Sequence, residues 1–181
     1  MPRYMALLRG INVSGQKLIK MDKLRSIFEA MGYQRVITYI QSGNVIFDSE
    51  ESAETTRERI VQELLAQLNY DIPVIIRSLT EMHEIVEQTP YLTVDEEEGE
   101  QRYVTLLSQL PTDEAVEKLA SFQNEVDEFR VIGLTVYMLI RKNYGETKFS
   151  NNFLEKKLGV TATTRNWQTM NKLIQLAEEG S

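Results

Sequence analysis

Three basic side chains are interspersed with glycine and polar residues in one short stretch, from Arg9 to Lys20. Arg9, Lys17 and Lys20 supply positive charge, and Gly10 and Gly15 permit tight backbone turns. The stretch follows an apolar run of strand length and precedes a helical pattern, which predicts a strand–loop–helix connection. Free backbone N–H groups and the helix dipole favour an anion at such a helix start. The chemistry that this stretch predicts is anion binding.

The same stretch matches neither of the common glycine-rich phosphate motifs. It lacks the Gly-x-x-x-x-Gly-Lys-Ser/Thr pattern of a P-loop and the Gly-x-Gly-x-x-Gly pattern of a dinucleotide site. Asn12 is a candidate polar contact for a ligand. The alternative is a structural loop in which Asn12 and Ser14 satisfy local backbone groups.

A second candidate segment is Tyr39–Asn44, at the turn of a predicted hairpin. The side chains of Gln41, Ser42 and Asn44 could present donors and acceptors to a ligand. The alternative is that these polar residues only make the turn.

The third candidate segment, Thr161–Trp167, is predicted to start the last helix, with threonine as its N-cap. Arg165 in the first turn would oppose the helix dipole, so it is expected to face an anion or a carboxylate. Asn166 and Trp167 join it as candidate contacts. Trp167 also continues the apolar stripe of the helix, which predicts that its ring is buried.

The residues of most familiar catalytic sites are missing from this sequence. It has no cysteine, which excludes thiolate nucleophiles and cysteine-ligated metals, and one histidine, His83. His83 lies beside the apolar stripe of a predicted helix, so we expect it at the surface. An enzyme of this sequence would have to use Asp, Glu, Lys, Tyr or a bound metal. Catalytic residues, a metal site and cofactors are therefore not assigned, and whether the chain is an enzyme stays open.

The charge is distributed unevenly along the 181 residues. Residues 1–50 have seven Lys/Arg and four Asp/Glu (+3), residues 51–130 six and nineteen (−13), and residues 131–181 seven and four (+3), which gives the total of −7. If the basic ends meet, they could form a positive patch on an acidic protein. We find no signal peptide pattern and no apolar run of the roughly 20 residues that a membrane helix needs. A cytoplasmic location without a membrane partner is therefore expected.

The periodicity of the first half predicts the element order β-α-β-β-α-β, the ferredoxin-like pattern. Pro73 places the last strand at a sheet edge, because proline cannot donate to a ladder. The elements of this half are Arg3–Leu8, a helix from Met21 to the stop at Gly32, Arg35–Ile40, Asn44–Phe47, a helix over Ala53–Leu68, and Ile72–Arg77.

The second half is predicted to repeat the first. Arg102–Leu107 has four identities with Arg3–Leu8, and a helix and a hairpin follow in the same order. The predicted elements are Asp113–Phe122, Phe129–Ile132, Thr135–Ile140, and helices over Asn151–Leu158 and Thr164–Glu178. We predict an α+β protein of two related ferredoxin-like (β-α-β-β-α) halves with antiparallel sheets, the second ending in helices. The predicted domains are 1–90 and 102–181, joined by an acidic linker at 91–101.

Three motifs together resemble a bacterial family catalogued as domain of unknown function 1697. They are Arg9–Val13 with Lys17 and Met21, Tyr39–Val45, and Thr163–Trp167. The resemblance spans nearly the whole chain, and one departure is Ser14, where a small residue, usually glycine, is expected. It implies two related α+β halves and brings no activity, cofactor or substrate.

These observations favour a cytosolic binding module for an anionic, phosphate-bearing ligand such as a nucleotide or a nucleic-acid backbone. The candidate ligand-binding residues are Arg9, Asn12, Lys17, Lys20, Gln41, Ser42, Asn44, Arg165, Asn166 and Trp167. One alternative is a self-association or protein–protein interaction module, which would make the chain a homo-oligomer. The other is an enzyme of unrecognised type.

Overall fold

The computed structural model describes residues 1–91, 101–124, 127–141 and 147–179. Its first seven elements are β1 (Arg3–Leu8), α1 (Met21–Ala30), β2 (Gln34–Tyr39), β3 (Asn44–Asp48), α2 (Ala53–Leu68), β4 (Val74–Ser78) and α3 (Leu79–Glu87). The next seven are β5 (Gln101–Leu107), α4 (Asp113–Ala120), β6 (Asp127–Ile132), β7 (Thr135–Ile140), α5 (Asn151–Leu158), β8 (Ala162–Asn166) and α6 (Trp167–Glu179). The predicted acidic linker lies almost wholly outside the described residues.

Each half builds a four-stranded antiparallel sheet with the same strand order. The orders are β2-β3-β1-β4 and β6-β7-β5-β8. The predicted α+β class with two related ferredoxin-like halves is thereby confirmed. Pro73 immediately precedes β4, which is an edge strand as predicted.

The two halves agree in the register of their last strand as well as in element order. Met5 lies opposite Arg77 in the first sheet, and Val104 lies opposite Arg165 in the second. With Arg3–Leu8 aligned on Arg102–Leu107, these are equivalent pairs. The internal repeat therefore extends to individual residues on the last strand of each sheet.

One element of the second half differs from the prediction. Residues 162–166 form β8, whereas the sequence placed the start of the last helix at Thr164. The helix begins instead at Trp167, and β8 pairs along β5. The β-branched residues Thr163 and Thr164 suit a strand, and pairing with β5 satisfies backbone groups that a helix start would leave open. With β8 in place, the second half repeats all seven elements of the first.

Each half has an apolar core on the face of its sheet that its two crossover helices cover. In the first half, Leu24 and Phe28 of α1 and Ile60 and Leu64 of α2 are buried with Phe47 of β3. In the second half, Leu119, Leu154 and Leu158 of α4 and α5 pack with Met138 and the other inward residues of the sheet. This is the helix-on-sheet layering that the period change from 2 to 3.6 predicts.

By packing, the chain divides into two compact units, Met1–Glu84 with Asn171–Ser181, and Ile85–Met170. The domain bounds drawn from the repeat stay a prediction. No helix among the described residues is both long and apolar enough to cross a bilayer.

Candidate functional site

The connection between β1 and α1 folds into a compact tip. The backbone N–H of Gln16 donates to the carbonyl of Val13 at 2.9 Å, and the two residues between them have positive φ, 52° at Ser14 and 74° at Gly15. Positive φ at both central positions is the geometry of a type I′ turn, which Gly15 adopts without a Cβ penalty. Ser14, Gly15 and Gln16 are all exposed, so the tip projects into solvent.

Asn12 fixes this loop to the hairpin turn between β2 and β3. Its Nδ2 donates to the carbonyls of Gln41 at 2.8 Å and of Ile19 at 3.1 Å, and its Oδ1 accepts from the N–H of Ile19 at 2.8 Å. The first two predicted motifs are therefore brought together on one surface. The Asn12 amide is occupied in doing so, which matches the structural alternative for this residue.

The hairpin turn between β2 and β3 packs against the loop. Gly43 has φ 88°, and a Cβ built on it would lie 2.4 Å from Cδ1 of Ile11 and 3.1 Å from Cβ of Leu8. The Nδ2 of Asn44 donates to the carbonyl of Tyr39 and to Oγ of Ser42, both at 3.0 Å, and Asn44 is fully buried. The amide of Asn44 thus makes the turn, and Gln41 is the exposed polar side chain of this segment.

The positive charge of the loop is not offset by any acidic residue within 9–20. Lys20 is exposed at the N-cap of α1, and its side chain makes no capping hydrogen bond. The N-cap side chain therefore does not accept from the backbone N–H groups of the first helical turn. The Nζ of Lys17 donates to the backbone carbonyl of Asp71 at 2.6 Å. This hydrogen bond fixes the position of the positive charge of Lys17 beside the loop. Arg9 is the half-buried first residue of the loop, and its backbone N–H donates to the carbonyl of Pro73 at 3.0 Å.

The second half provides an internal comparison for this loop. Two backbone bonds at the end of β1, Leu8 N–H to Gly43 and Arg9 N–H to Pro73, recur at the end of β5 as Leu107 to Leu134 and Ser108 to Thr161. The connection that follows has twelve residues in the first half (9–20) and five in the second (108–112). Five residues suffice for this crossover, so the first half carries seven more than the connection requires.

Apolar side chains that the sequence did not single out lie on the same surface. Val13 is 59% exposed, Leu18 62% and Ile40 44%. Val13 follows Asn12 and Ile40 precedes Gln41, so the hydrogen bond between Asn12 and Gln41 brings these two residues into the same region. Sequence patterns do not reveal this, because apolar residues in a loop are read as anchors to the core.

The third motif lies in the second unit, and its residues have structural contacts there. Arg165 is on β8 and not in a helical turn; its Nη1 donates to Oγ1 of Thr163 at 2.7 Å and to the carbonyl of Thr164 at 3.0 Å. Asn166 is the cap of α6, since its Oδ1 accepts from the N–H of Thr169 at 2.8 Å. The ring of Trp167 is buried as predicted, with the guanidinium of Arg102 4.8 Å from its centroid.

Arg165 and Arg77 are equivalent buried arginines on the last strand of each sheet. Burial lowers the pKa of Arg165 to about 10. Burial also lowers the pKa of Arg77, and the negative charge of Glu81 opposes this shift without cancelling it. Arg165 is buried on a strand, so the sequence was wrong to place it in the first turn of the last helix.

The sequence also did not predict a cluster of charged residues in the first sheet, where β1 begins and β3 ends. Asp48 accepts from Nη1 of Arg3 at 3.0 Å and from Nε of Arg35 at 2.5 Å. Burial by itself would raise the pKa of Asp48, but the hydrogen bonds from Arg35 and Arg3 outweigh it, so the pKa is held below its usual value. Arg3 also donates to the carbonyl of Ala177 at 3.0 Å, so the cluster links β1, β2 and β3 to α6.

His83 is partly exposed on α3, in agreement with its predicted surface position. Its Nε2 lies 2.6 Å from Oε1 of Glu178, and 43% of its side chain is exposed. Among the described residues, no three His, Asp or Glu side chains are grouped so that they could hold a metal ion.

Comparison with known proteins gives a family and a fold. A search of curated proteins finds no significant match. A solved structure, described as that of the conserved bacterial protein SP0830 from Streptococcus pneumoniae, is similar with a TM-score of 0.77 and 21% identity, over 97% of this chain and 98% of that one. The family model described as "Protein of unknown function (DUF1697)" matches residues 1–137. The model covers more than half of the sequence and includes both the loop and the hairpin turn, and so the chain belongs to the DUF1697 family.

Proposed function

We propose that the protein is a cytosolic binding module for an anionic, phosphate-bearing ligand, such as a nucleotide or a nucleic-acid backbone. The site is the surface formed by residues 9–20 and 39–42, here called the loop–hairpin surface. Arg9, Lys17 and Lys20 supply the charge, and Gln41 and Ser42 supply polar contacts. Asn12 and Asn44 position these groups and do not themselves contact the ligand.

The observation that carries the proposal is the internal comparison of the two halves. The connection after β1 has twelve residues, against five for the equivalent connection after β5. All three charged residues of the longer connection are basic. Residues that a fold does not need for its crossover, held on a rigid scaffold by Asn12, are typical of a binding loop.

The test is a binding measurement with inorganic phosphate, pyrophosphate, AMP, ATP, ribose 5-phosphate and a short single-stranded oligonucleotide as probes. Thermal unfolding and calorimetry report binding, because a ligand at about 100 times its dissociation constant stabilises the folded state by roughly 2.7 kcal/mol. We expect at least one probe to bind, and its affinity to fall as salt screens the cations.

Two single substitutions separate the site from general electrostatics. Lys20→Ala removes an exposed cation of the loop–hairpin surface and should weaken binding about ten- to a hundredfold, the loss of one charge-assisted hydrogen bond. Lys156→Ala makes the same charge change at an exposed position of α5 in the second unit and should leave affinity unchanged. The proposal fails if no probe binds, or if the two variants weaken binding equally.

A further inference from the structure

The helix start after the first strand of each half carries an exposed leucine. Leu18 is 62% exposed and Leu110 is 68% exposed. Each lies two residues before the N-cap of the following helix, Lys20 for α1 and Thr112 for α4. A single exposed leucine is ordinary, but the same exposure at the same position of both repeats is a feature of the repeated unit.

The two leucines lie in surroundings of opposite charge. Residues 17–25 contain four Lys/Arg and one Asp, a net charge of +3. Residues 110–118 contain three Asp/Glu and one Lys, a net charge of −2. All of these charged residues are exposed except Lys17, which is half-buried. Equivalent backbone segments thus present one apolar side chain each, with positive charge around the first and negative charge around the second.

We infer that copies of this chain associate through these two segments, the Leu18 segment of one copy against the Leu110 segment of another. The occupant of each surface is a second copy, because the complementary charge and the complementary apolar contact are both present on the same chain. Opposite charges favour the encounter of the two segments, while like charges disfavour the pairing of either segment with itself. Contact between the leucines then removes apolar surface from water.

This inference goes beyond the proposed ligand-binding function and does not depend on it. The two share Lys17 and Lys20, so association is measured without phosphate ligands. The experiment is sedimentation velocity of the full chain at low salt over a wide concentration range. We expect reversible association that weakens as salt rises, because part of it is electrostatic.

The variants assign the association to the two segments. Leu18→Ser and Leu110→Ser should each raise the dissociation constant about tenfold, as loss of a buried leucine contact does. Leu65→Ser is the matched control, since Leu65 is an exposed leucine of α2 (47% exposed) outside both segments. It should leave association unchanged.

A charge exchange tests the pairing itself. Lys20→Glu should weaken association, and adding Asp113→Lys in the same chain should restore it, because the charges are then complementary in the reverse sense. A chain that stays monomeric at every concentration overturns the inference. Association that is unchanged in both serine variants also overturns it, because the contact would then lie elsewhere. The inference is likewise wrong if the folded double variant Lys20→Glu, Asp113→Lys does not recover the association that Lys20→Glu weakens.

Discussion

At the scale of single residues, the role of a polar side chain follows from whether its hydrogen-bonding groups are already used inside the fold. Asn12 and Asn44 use their amides to join the loop and the hairpin turn. Gln41 and Lys20 are exposed beside them. Residue type alone could nominate all four, because Asn is equally suited to turns and to ligands. The hydrogen bonds in the folded structure, such as that from Asn12 to the carbonyl of Gln41, separate these roles.

Arg165 is a second residue whose role could not be predicted from residue type alone. The sequence predicted it as a cation at a helix start, and its surroundings are those of a buried strand residue. An arginine between Thr164 and Asn166 has no periodic signal that would indicate burial. The repeat could have revealed it, because Arg77 occupies the equivalent position of a strand that was predicted.

Tyr137 gives a prediction for the dependence of stability on pH. Its hydroxyl donates to the carbonyl of Ile85 at 2.5 Å, and burial raises the pKa of Tyr137 from 10.0 to about 12. The folded state therefore keeps a proton that the unfolded state releases. This stabilisation is fully present below pH 10 and is lost as the pH rises through about 12.

We expect the free energy of unfolding to fall over this range in the natural protein and less steeply in Tyr137→Phe, as measured by urea denaturation at several pH values. The variant should also be about 1 kcal/mol less stable near neutral pH, because the carbonyl of Ile85 loses its donor. Tyr39→Phe, at a half-buried hairpin residue, is the control. Equal slopes for Tyr137→Phe and the natural protein would contradict the assignment.

At the scale of elements, helix limits are predicted best where caps are present. The bounds of α2 and α5 match the prediction, and each helix has a serine N-cap and a left-handed C-terminal residue, Asn69 or Gly159. β8 was missed because a threonine run before an apolar helical stripe is also the pattern of a capped helix start. The choice was decided by pairing with β5, a contact about sixty residues distant in sequence that no local pattern contains.

The packing of the loop against the hairpin turn gives a prediction for two glycines. Gly15 and Gly43 both have positive φ, 74° and 88°, so a Cβ strains the backbone at either position. A Cβ at Gly15 would meet nothing within 4 Å, whereas one at Gly43 would lie 2.4 Å from Ile11, which is buried, and 3.1 Å from Cβ of Leu8. Gly43→Ala should therefore be the more destabilising change.

We expect Gly15→Ala to lower the free energy of unfolding by about 1 kcal/mol. Gly43→Ala should lower it by about 1–3 kcal/mol more, the cost of overpacking a closed contact. Chemical denaturation of both variants measures the difference. Equal losses would show that Ile11 can move aside and that the loop is not held tightly on the turn.

At the scale of the whole molecule, the chain uses one arrangement of elements twice. Strand order is the same in both sheets and the last strand of each has equivalent register, so the fold class could be predicted from element order and six similar residues. The length of the first connection is the main departure from the repeat. The functional proposal depends on that departure, because the second half makes the same crossover without the extra residues.

The repeat also predicts how local stability is distributed. In each sheet the central strands are paired on both sides, β1 and β3 in the first and β5 and β7 in the second. β1, β3 and β7 are buried throughout, whereas the edge strands β2 and β6 include exposed residues. Amide hydrogens exchange through opening reactions whose free energy is greatest for buried, doubly paired strands. The slowest exchange is therefore expected in equivalent places of both halves.

Hydrogen–deuterium exchange measured by mass spectrometry tests this expectation on the unmodified protein. Peptides from the central strands of both halves should be protected longest, those from β2 and β6 should exchange earlier, and residues 13–16 of the loop tip should exchange first. A difference between the halves confined to the loop would mean that the longer connection was added to a frame whose stability it does not change. Rapid exchange in the central strands of one half would instead show that the repeated frame is not equally stable, and that the shorter connection is not a neutral reference for the longer one.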